Sequence, residues 1–210
     1  MRLLVTAGPT REHIDSVRFI SNASSGRMAF AIAEEAKRRG HEVVLVCGPV
    51  ALDPPAVEVV PVISAADMLE VCLGVFERCD AAVMAAAVSD WRPRVTHEGK
   101  LPKAQVGLSL ELEPTTDVCA ALGERKGGRV LVGFAVQDLD ARTRAEEKMR
   151  RKHCDAIVLN GPGNIGSDAG QIEIKVVGEP WGSPVKGTKA AMGAAVVDVV
   201  ESLLGRRKPA

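Results

Sequence analysis

The sequence predicts an α/β fold built around a mostly parallel sheet. Short apolar runs alternate with amphipathic stretches from the N-terminus to about Leu159, which is the rhythm of βα units in a parallel sheet. The chain has 210 residues, of which 46% are hydrophobic, so it can bury one large core. We therefore expect a single domain over residues 1–205 and a solvated tail over residues 206–210.

Turn and capping residues delimit the elements of the N-terminal half. Gly40 is placed to end the first helix, and Ser24 or Ser25 can cap its start. Ser64 and Asp67 have the spacing of a capping box and predict the start of the second helix. We expect strands at residues 2–6, 43–47, 57–62 and 81–88, and helices at residues 26–39 and 64–78.

Alternating apolar residues mark two strands of the C-terminal half. The pattern at residues 106–112 predicts a half-buried strand, and the pattern at residues 171–177 predicts an edge or antiparallel strand. Residues 89–105 are polar and carry Gly99 and two prolines, which is typical of a mobile lid. The remaining predicted elements are strands at residues 130–135 and 155–159, and helices at residues 115–125, 140–151 and 188–204. These elements favour a Rossmann-like three-layer α/β/α arrangement with a small antiparallel extension.

Charge and chain ends exclude several classes of function. The 27 basic and 27 acidic residues cancel, so the overall charge favours neither nucleic acid nor an anionic membrane as a partner. The first apolar run ends at Gly8 and Pro9 and is too short for a signal peptide or a membrane span, so we expect a cytoplasmic location. The cysteines show no metal-ligand spacing and are expected to be structural thiols: Cys47, Cys72, Cys79, Cys119 and Cys154.

The segment before the first helix is a candidate phosphate site. Gly8 and Thr10 follow the first strand, and small residues from Ser21 to Gly26 lead into the helix. Free N–H groups at a helix start bind phosphate, and ligands of parallel sheets lie beyond the carboxyl ends of the strands. An ordinary capped helix after a long loop is the alternative. The dinucleotide fingerprint Gly-x-Gly-x-x-Gly is absent, which weakens a redox interpretation.

Three further features are candidate contacts with a ligand. Asp90 follows a predicted strand and could meet a ribose hydroxyl, a base amino group or a metal, or simply form a turn. Lys100 and Lys103 lie in the lid. Lys148 and Lys152 are one helical turn apart, an arrangement that costs about 0.2–0.5 kcal/mol unless an anion lies between them. A solvated basic face is the alternative for that pair, whereas all these features together suit a triphosphate.

Several of these motifs together resemble the phosphopantothenoylcysteine synthetase family, the synthetase domain of a bifunctional coenzyme A biosynthesis protein. They are residues 6–12, residues 18–28, the strand before Asp90, the Lys100-x-x-Lys103 pair and residues 132–135. The resemblance implies that the carboxylate of 4′-phosphopantothenate attacks the α-phosphate of CTP, with Mg²⁺, and that the amine of cysteine then displaces CMP. It also implies a homodimer with shared active sites. A flavin-dependent decarboxylase is implied as the pathway neighbour, and no flavin is expected in this chain.

The resemblance also implies the roles of individual residues. Catalysis falls to Asn22 and Lys100. Substrate binding falls to Arg18, Asn22, Ser24, Ser25, Gly26 and Ala87. Nucleotide binding falls to Gly8, Thr10, Met84, Ala85, Ala86, Asp90, Lys100, Lys103, Thr116, Asp117, Val118, Cys119, Phe134, Lys148 and Lys152. No metal ligand is assigned.

Alternatives to this function remain open. A nicotinamide-dependent reductase is disfavoured because the chain has no tyrosine, so the Tyr and Lys acid/base pair of short-chain reductases cannot form. A nucleotide-sensing module that binds without turnover is the second alternative. Within the ligase interpretation, CTP is favoured as the donor, and ATP is the competing one.

Overall fold

A computed structural model describes residues 1–103, 107–137, 139–164 and 166–207. In these ranges the helices are α1 (Arg27–Arg38), α2 (Ala65–Phe76), α3 (Val118–Glu124), α4 (Ala141–Arg151) and α5 (Lys189–Arg207). The strands are β1 (Arg2–Ala7), β2 (Arg11–His13), β3 (Phe19–Ser21), β4 (Glu42–Cys47), β5 (Glu58–Pro61), β6 (Ala81–Met84), β7 (Trp91–Pro93), β8 (Leu112–Pro114), β9 (Val130–Val136), β10 (Ala156–Asn160), β11 (Ala169–Val176) and β12 (Val185–Thr188).

The main sheet has eight strands in the order β12-β11-β10-β9-β6-β1-β4-β5. The six strands from β10 to β5 are parallel, and β11 and β12 extend the sheet antiparallel. Apolar side chains of α1 and α5 pack on one face, while those of α2, α3 and α4 pack on the other. The predicted Rossmann-like α/β/α fold with a small antiparallel extension is thereby confirmed.

Strand order creates a crevice at the centre of the sheet. The chain leaves β1 toward β4 on one side, and it later leaves β6 toward β9 on the other side. β1 and β6 are direct neighbours, so the connections diverge above their carboxyl ends. Such a switch point is where parallel α/β sheets bind ligands.

The predicted strand at residues 106–112 is wrong. Residues 107–111 form no strand, and only Leu112–Pro114 pairs, with Trp91–Pro93, in a separate two-stranded sheet. Leu108 is 61% exposed, and Val106 lies outside the described residues. Leu108, Leu110 and Leu112 are left exposed by the part of the chain that the structure describes, so the alternating pattern alone could not place them in the main sheet. The predicted strand at residues 81–88 also ends early, at Met84, with a single further bridge between Ala87 and Pro9.

Both ends of the helical framework differ from the prediction. Gly26, with φ of 78°, occupies the N-cap position of α1, and no side chain in the described ranges caps the helix. Ser24 Oγ accepts from the Gly26 N–H at 3.4 Å instead, so the predicted serine cap is wrong. At the other end, α5 continues through Arg207, and Arg207 pairs with Asp155 at 2.5 Å. Residues 206–207, predicted to belong to a solvated tail, are exposed but continue this helix, and residues 208–210 lie outside the described ranges.

Helix length and polarity also bear on membrane insertion. Within the described ranges, no helix combines the length and the apolar character that crossing a bilayer requires.

Candidate functional site

A cavity of about 730 Å³ lies above the carboxyl ends of the central strands. The ends of β6, β9 and β10 form its base. Residues of α1 and α5 line it on one side of the sheet, and residues of α3 and α4 line it on the other. The cavity therefore occupies the switch point described above, as the sequence predicted for its ligand site.

Hydrogen bonds from the first strand fix the segment that follows β6. Thr6 Oγ1 accepts from the Ala86 N–H at 3.1 Å, and the Ala87 N–H donates to the Gly8 carbonyl at 2.9 Å. Thr10 is fully buried, and its Oγ1 accepts from the Ser89 N–H at 2.9 Å. Gly8 and Thr10 thus hold the segment around Ala86 and Ala87 in place and do not line the cavity themselves.

Gly8 has a backbone conformation that other residues rarely adopt. Its φ is 71°, and a Cβ atom there would lie 2.9 Å from the Gly48 carbonyl oxygen. A glycine is therefore required at the turn after β1 for steric reasons.

The start of α1 presents polar groups to the cavity. Asn22, Ser24, Ser25 and Gly26 all line it. Asn22 Nδ2 donates to the Ala87 carbonyl at 2.9 Å, which fixes the orientation of its amide and leaves Oδ1 as an acceptor. Since no described side chain caps α1, the N–H groups of its first turn keep their hydrogen-bonding capacity and their partial positive charge.

The α3 and α4 side of the cavity carries two lysines and one carboxylate. Lys152 Nζ lies 2.7 Å from Asp117 Oδ2, and Asp117 Oδ1 accepts from the Ala120 N–H at 3.1 Å as the N-cap of α3. Burial opposes the ionisation of Asp117, but the hydrogen bonds from Lys152 and Ala120 together hold its pKa below the ordinary value.

Lys148 lies on the same side and is half-buried. Burial, followed by the charge of Lys152, lowers its pKa. Among the described residues Lys148 has no ion-pair partner, so an incoming anion would relieve both effects.

The α1 and α5 side carries a second cationic group, formed by Arg27 and Lys189. Arg27 pairs with Asp168, yet its Nε is buried and finds no hydrogen-bond partner among the residues that the structure describes. Lys189 Nζ donates to the Asn164 carbonyl at 3.0 Å. Burial and then the charge of Arg27 lower the pKa of Lys189. Sequence reasoning missed both residues, because Lys189 begins the last helix without a motif and only the fold brings it near Arg27.

Most of the residues predicted for the site come together in this cavity. Those that line it are Asn22, Ser24, Ser25, Gly26, Met84, Ala85, Ala86, Ala87, Asp90, Thr116, Asp117, Val118, Cys119, Phe134, Lys148 and Lys152. Asp90 is exposed, and its carbonyl accepts from the Thr115 N–H at 3.0 Å. The cavity thus has a cationic group on each side of the sheet, and small and apolar residues lie between the two groups.

Arg18, Lys100 and Lys103 do not line the cavity. Arg18 Nε donates to Asp15 Oδ2 at 2.8 Å, and its Nη2 donates to the Leu101 carbonyl at 3.0 Å. Lys100 and Lys103 are exposed. Any role of these three residues in the chemistry therefore requires movement of residues 89–103 or contact with a second chain.

Sequence and structure comparisons show which known proteins this chain is similar to. A family model described as the DNA/pantothenate metabolism flavoprotein C-terminal domain matches residues 1–203. The coenzyme A biosynthesis bifunctional protein CoaBC of Bacillus subtilis is 44% identical over 160 residues, which are 75% of this chain and 39% of that protein. The chain thus spans well under half of this relative.

Two solved structures share the fold. The crystal structure of the C-terminal domain of CoaBC superposes with a TM-score of 0.83 at 37% identity, covering 98% of this chain and 96% of the other. A Cab2 mutant in complex with phosphopantothenate-cysteine superposes with a TM-score of 0.81 at 14% identity, covering 99% of this chain and 89% of the other. At that identity the second likeness concerns the fold alone.

Proposed function

Because the chain belongs to the DNA/pantothenate metabolism flavoprotein C-terminal domain family, we propose that it is a phosphopantothenate–cysteine ligase of coenzyme A biosynthesis. Family membership confirms the resemblance drawn from the sequence motifs. The observation that carries the proposal is the cavity itself, in which an uncapped helix start and two cationic groups surround one space. A volume of about 730 Å³ is in the range of small-molecule sites.

The charges of the cavity match the demands of carboxylate activation. A carboxylate approaches a triphosphate only when the phosphate charge is neutralised and the groups are held in line. We assign phosphate contacts to the first turn of α1 and to Lys148 and Lys152, all of which line the cavity. The carboxylate oxygen of phosphopantothenate then attacks the α-phosphorus, pyrophosphate leaves, and an acyl-nucleotide forms. We favour CTP as the donor, with ATP as the alternative.

Asn22 is suited to the second half of the reaction. The cysteine amine attacks the acyl carbon, the nucleoside monophosphate leaves with the bonding electrons, and the amine loses a proton. Asn22 lies between the helix start and Ala87, with its amide fixed by the 2.9 Å bond to the Ala87 carbonyl. A pre-oriented amide can position the acyl group without reorganising during the reaction. The choice of substrates rests on the family to which the chain belongs and on its 44% identity to a coenzyme A biosynthesis bifunctional protein.

We propose that Mg²⁺ enters with the nucleotide. No group of three His, Cys, Asp or Glu side chains within the described ranges could hold a metal ion. Magnesium commonly binds through substrate phosphates, waters and one or two carboxylates, so a protein cage is not required. Asp90 lines the cavity and is the carboxylate that we assign to such an ion, which would help to neutralise the phosphates.

We further propose a homodimer in which each site borrows residues from the partner. Large apolar side chains are exposed on and near the small β7–β8 sheet, with Trp91 at 53% and Val95 at 62%. Such exposed apolar surface is typical of protein contacts. A second chain covering it could also bring Arg18, Lys100 and Lys103 into use.

Because the Bacillus subtilis relative is bifunctional and this chain spans 39% of it, we propose a flavin-dependent decarboxylase as the pathway neighbour and expect no flavin in this chain.

Pyrophosphate release tests the proposed function. The purified protein with Mg²⁺ should release pyrophosphate only when phosphopantothenate and a nucleoside triphosphate are both present, and it should form the amide when cysteine is added. Parallel reactions with CTP and ATP identify the donor. Nucleotide binding without pyrophosphate release under all these conditions would support the sensing module instead, and binding of NADPH would support the reductase.

A further inference from the structure

Two buried thiols meet at the wall of the cavity. Cys119 Sγ lies 3.6 Å from Cys154 Sγ, although the two residues are 35 positions apart in the chain. Cys119 belongs to α3 and Cys154 lies in the turn before β10, so two different elements supply them. They are 9% and 3% exposed, and Cys119 lines the cavity. Small oxidants can therefore reach the pair through the cavity.

The fold leaves space for the two sulfur atoms to approach each other. Gly133 on β9 lies beside them, and a Cβ atom there would be 3.0 Å from Cys154 Sγ and 3.8 Å from Cys119 Sγ. The pair thus occupies volume that a side chain at position 133 would fill. A disulfide requires an S–S distance of about 2.05 Å, which demands a shift of roughly 1.5 Å from the observed contact.

The environment of Cys119 favours its thiolate. The hydrogen bond from Cys154 lowers the pKa of Cys119, burial opposes this, and the nearby charges of Lys152 and Lys148 lower it further. The same hydrogen bond and burial raise the pKa of Cys154. Cys47, Cys72 and Cys79 differ, because burial raises the pKa of each of these thiols. Cys119 is thus the thiol suited to attack an oxidant, and Cys154 is placed to resolve the product.

We propose that Cys119 and Cys154 form an oxidisable dithiol site that responds to hydroperoxides. With hydrogen peroxide, the Cys119 thiolate attacks one oxygen, the O–O bond breaks, and the leaving hydroxide takes up the proton that the Cys119 thiol gave up, so that a sulfenic acid and water form. Cys154 then attacks the oxidised sulfur, and its thiol proton leaves with the sulfenic oxygen as a second water. For hydrogen peroxide the sum is two thiols plus one peroxide giving one disulfide and two waters, so the peroxide takes the two electrons that the sulfurs lose.

The disulfide would act on the lysine side of the cavity. Cys119 follows Asp117 by two residues, and Asp117 both caps α3 and holds Lys152 at 2.7 Å. Drawing Cys119 toward Cys154 displaces this cap and its lysine. A displacement of about 1 Å at a binding group can lower turnover by up to about 100-fold. This consequence rests on the proposed function, whereas formation of the disulfide does not.

Peroxide treatment followed by peptide mapping tests the site. The oxidised protein should lose the mass of two hydrogen atoms, yield a cross-linked peptide containing residues 119 and 154, and return to its original mass with dithiothreitol. Cys154→Ser should yield no such peptide, whereas the matched control Cys47→Ser should yield it as the unsubstituted protein does. Absence of the cross-linked peptide in the unsubstituted protein overturns the proposal.

Activity provides the second readout. Pyrophosphate release by the oxidised protein should be at least about tenfold lower than by the reduced protein and should recover on reduction. Equal release by the two forms would overturn the regulatory effect. No release by the reduced form, together with a mapped disulfide, would instead count against the ligase function and leave the dithiol site intact.

Discussion

Asp117 and Lys152 form a 2.7 Å ion pair at the wall of the cavity, and the same carboxylate caps α3 through the Ala120 N–H. One side chain therefore positions a cation and stabilises a helix start. The two contributions can be separated, because asparagine keeps a side-chain oxygen for the cap and loses the charge.

Asp117→Asn should retain most of the stability, whereas Asp117→Ala should cost about 1 kcal/mol more, since it also removes the cap. Urea unfolding of both variants measures the difference. The partly exposed ion pair itself is expected to contribute little. Equal free energies of unfolding for the two variants would show that the cap contributes nothing at this position.

Lys189 should affect nucleotide affinity, although no sequence motif marks it. It lines the cavity together with Arg27, the first residue of α1, and burial lowers its pKa. Lys189→Gln should raise the KM for the nucleotide by about tenfold or more, because a hydrogen bond to a charged group contributes about 1.5–3 kcal/mol. Steady-state kinetics with each substrate varied in turn measures this.

Lys186 provides the matched control for this experiment. It lies on the neighbouring strand β12, is exposed and does not line the cavity. Lys186→Gln should leave both KM values unchanged. If Lys189→Gln raised only the KM for phosphopantothenate, the α1 and α5 side would hold the phosphate of that substrate and not the nucleotide.

The contrast between Lys148 and Lys189 indicates how far the sequence could predict the site. Lys148 lies on α4 and Lys152 directly follows its last residue, so their spacing of four residues alone predicts a common face. Lys189 and Arg27 meet only because α1 and α5 pack on the same face of the sheet. Contacts between distant segments, such as that of Cys119 with Cys154, likewise depend on topology and leave no local pattern.

The secondary-structure elements likewise divide into those that a local sequence signal predicts and those that it does not. The strand at residues 130–135 and the helix at residues 64–78 were predicted close to their observed bounds, Val130–Val136 and Ala65–Phe76, because apolar runs and a capping box mark them. The strand predicted at residues 106–112 is wrong because alternating apolar residues indicate an apolar surface without indicating which other element covers it. Gly26 takes the N-cap position that was predicted for Ser24 or Ser25, because its left-handed backbone conformation changes the direction of the chain before α1.

Asn22 should be required for amide formation more than for activation. Its Nδ2 donates to the Ala87 carbonyl, so an aspartate in its place would set a carboxylate against that carbonyl oxygen. Asn22→Asp and Asn22→Ala should still release pyrophosphate in a single turnover but should form the amide at least about 100-fold more slowly, since loss of one positioned polar group commonly costs that much. Rapid-quench analysis of both products measures the two steps. Unchanged overall turnover in either variant would remove the role assigned to Asn22.

Asp15 should make the stability of the fold depend on pH in the acid range. Its buried carboxylate accepts from Arg18 Nε at 2.8 Å and from the N–H groups of Val17, Arg18 and Leu101 at 2.9, 2.8 and 3.1 Å. The Arg18 hydrogen bonds are the largest cause that holds the pKa of Asp15 well below its ordinary value, and burial opposes them. The carboxylate therefore ties the turn before β3 to the segment that carries Lys100.

Because the pKa of Asp15 is lower in the folded state than in the unfolded state, the protein should lose stability as the pH falls. In the unfolded chain Asp15 becomes protonated below about pH 4, whereas in the folded chain its carboxylate stays ionised to a lower pH. The stabilisation of the folded state by this carboxylate is therefore complete above about pH 4 and is lost as the pH falls toward the pKa of Asp15 in the folded state. Asp15→Asn should thus be less stable than the unsubstituted protein by a constant amount between about pH 6 and 8, and the gap should narrow below about pH 4. Urea unfolding across this range measures it, with the exposed Asp53→Asn as the control. A gap that stayed constant down to pH 3 would show that the carboxylate charge is not what stabilises this turn.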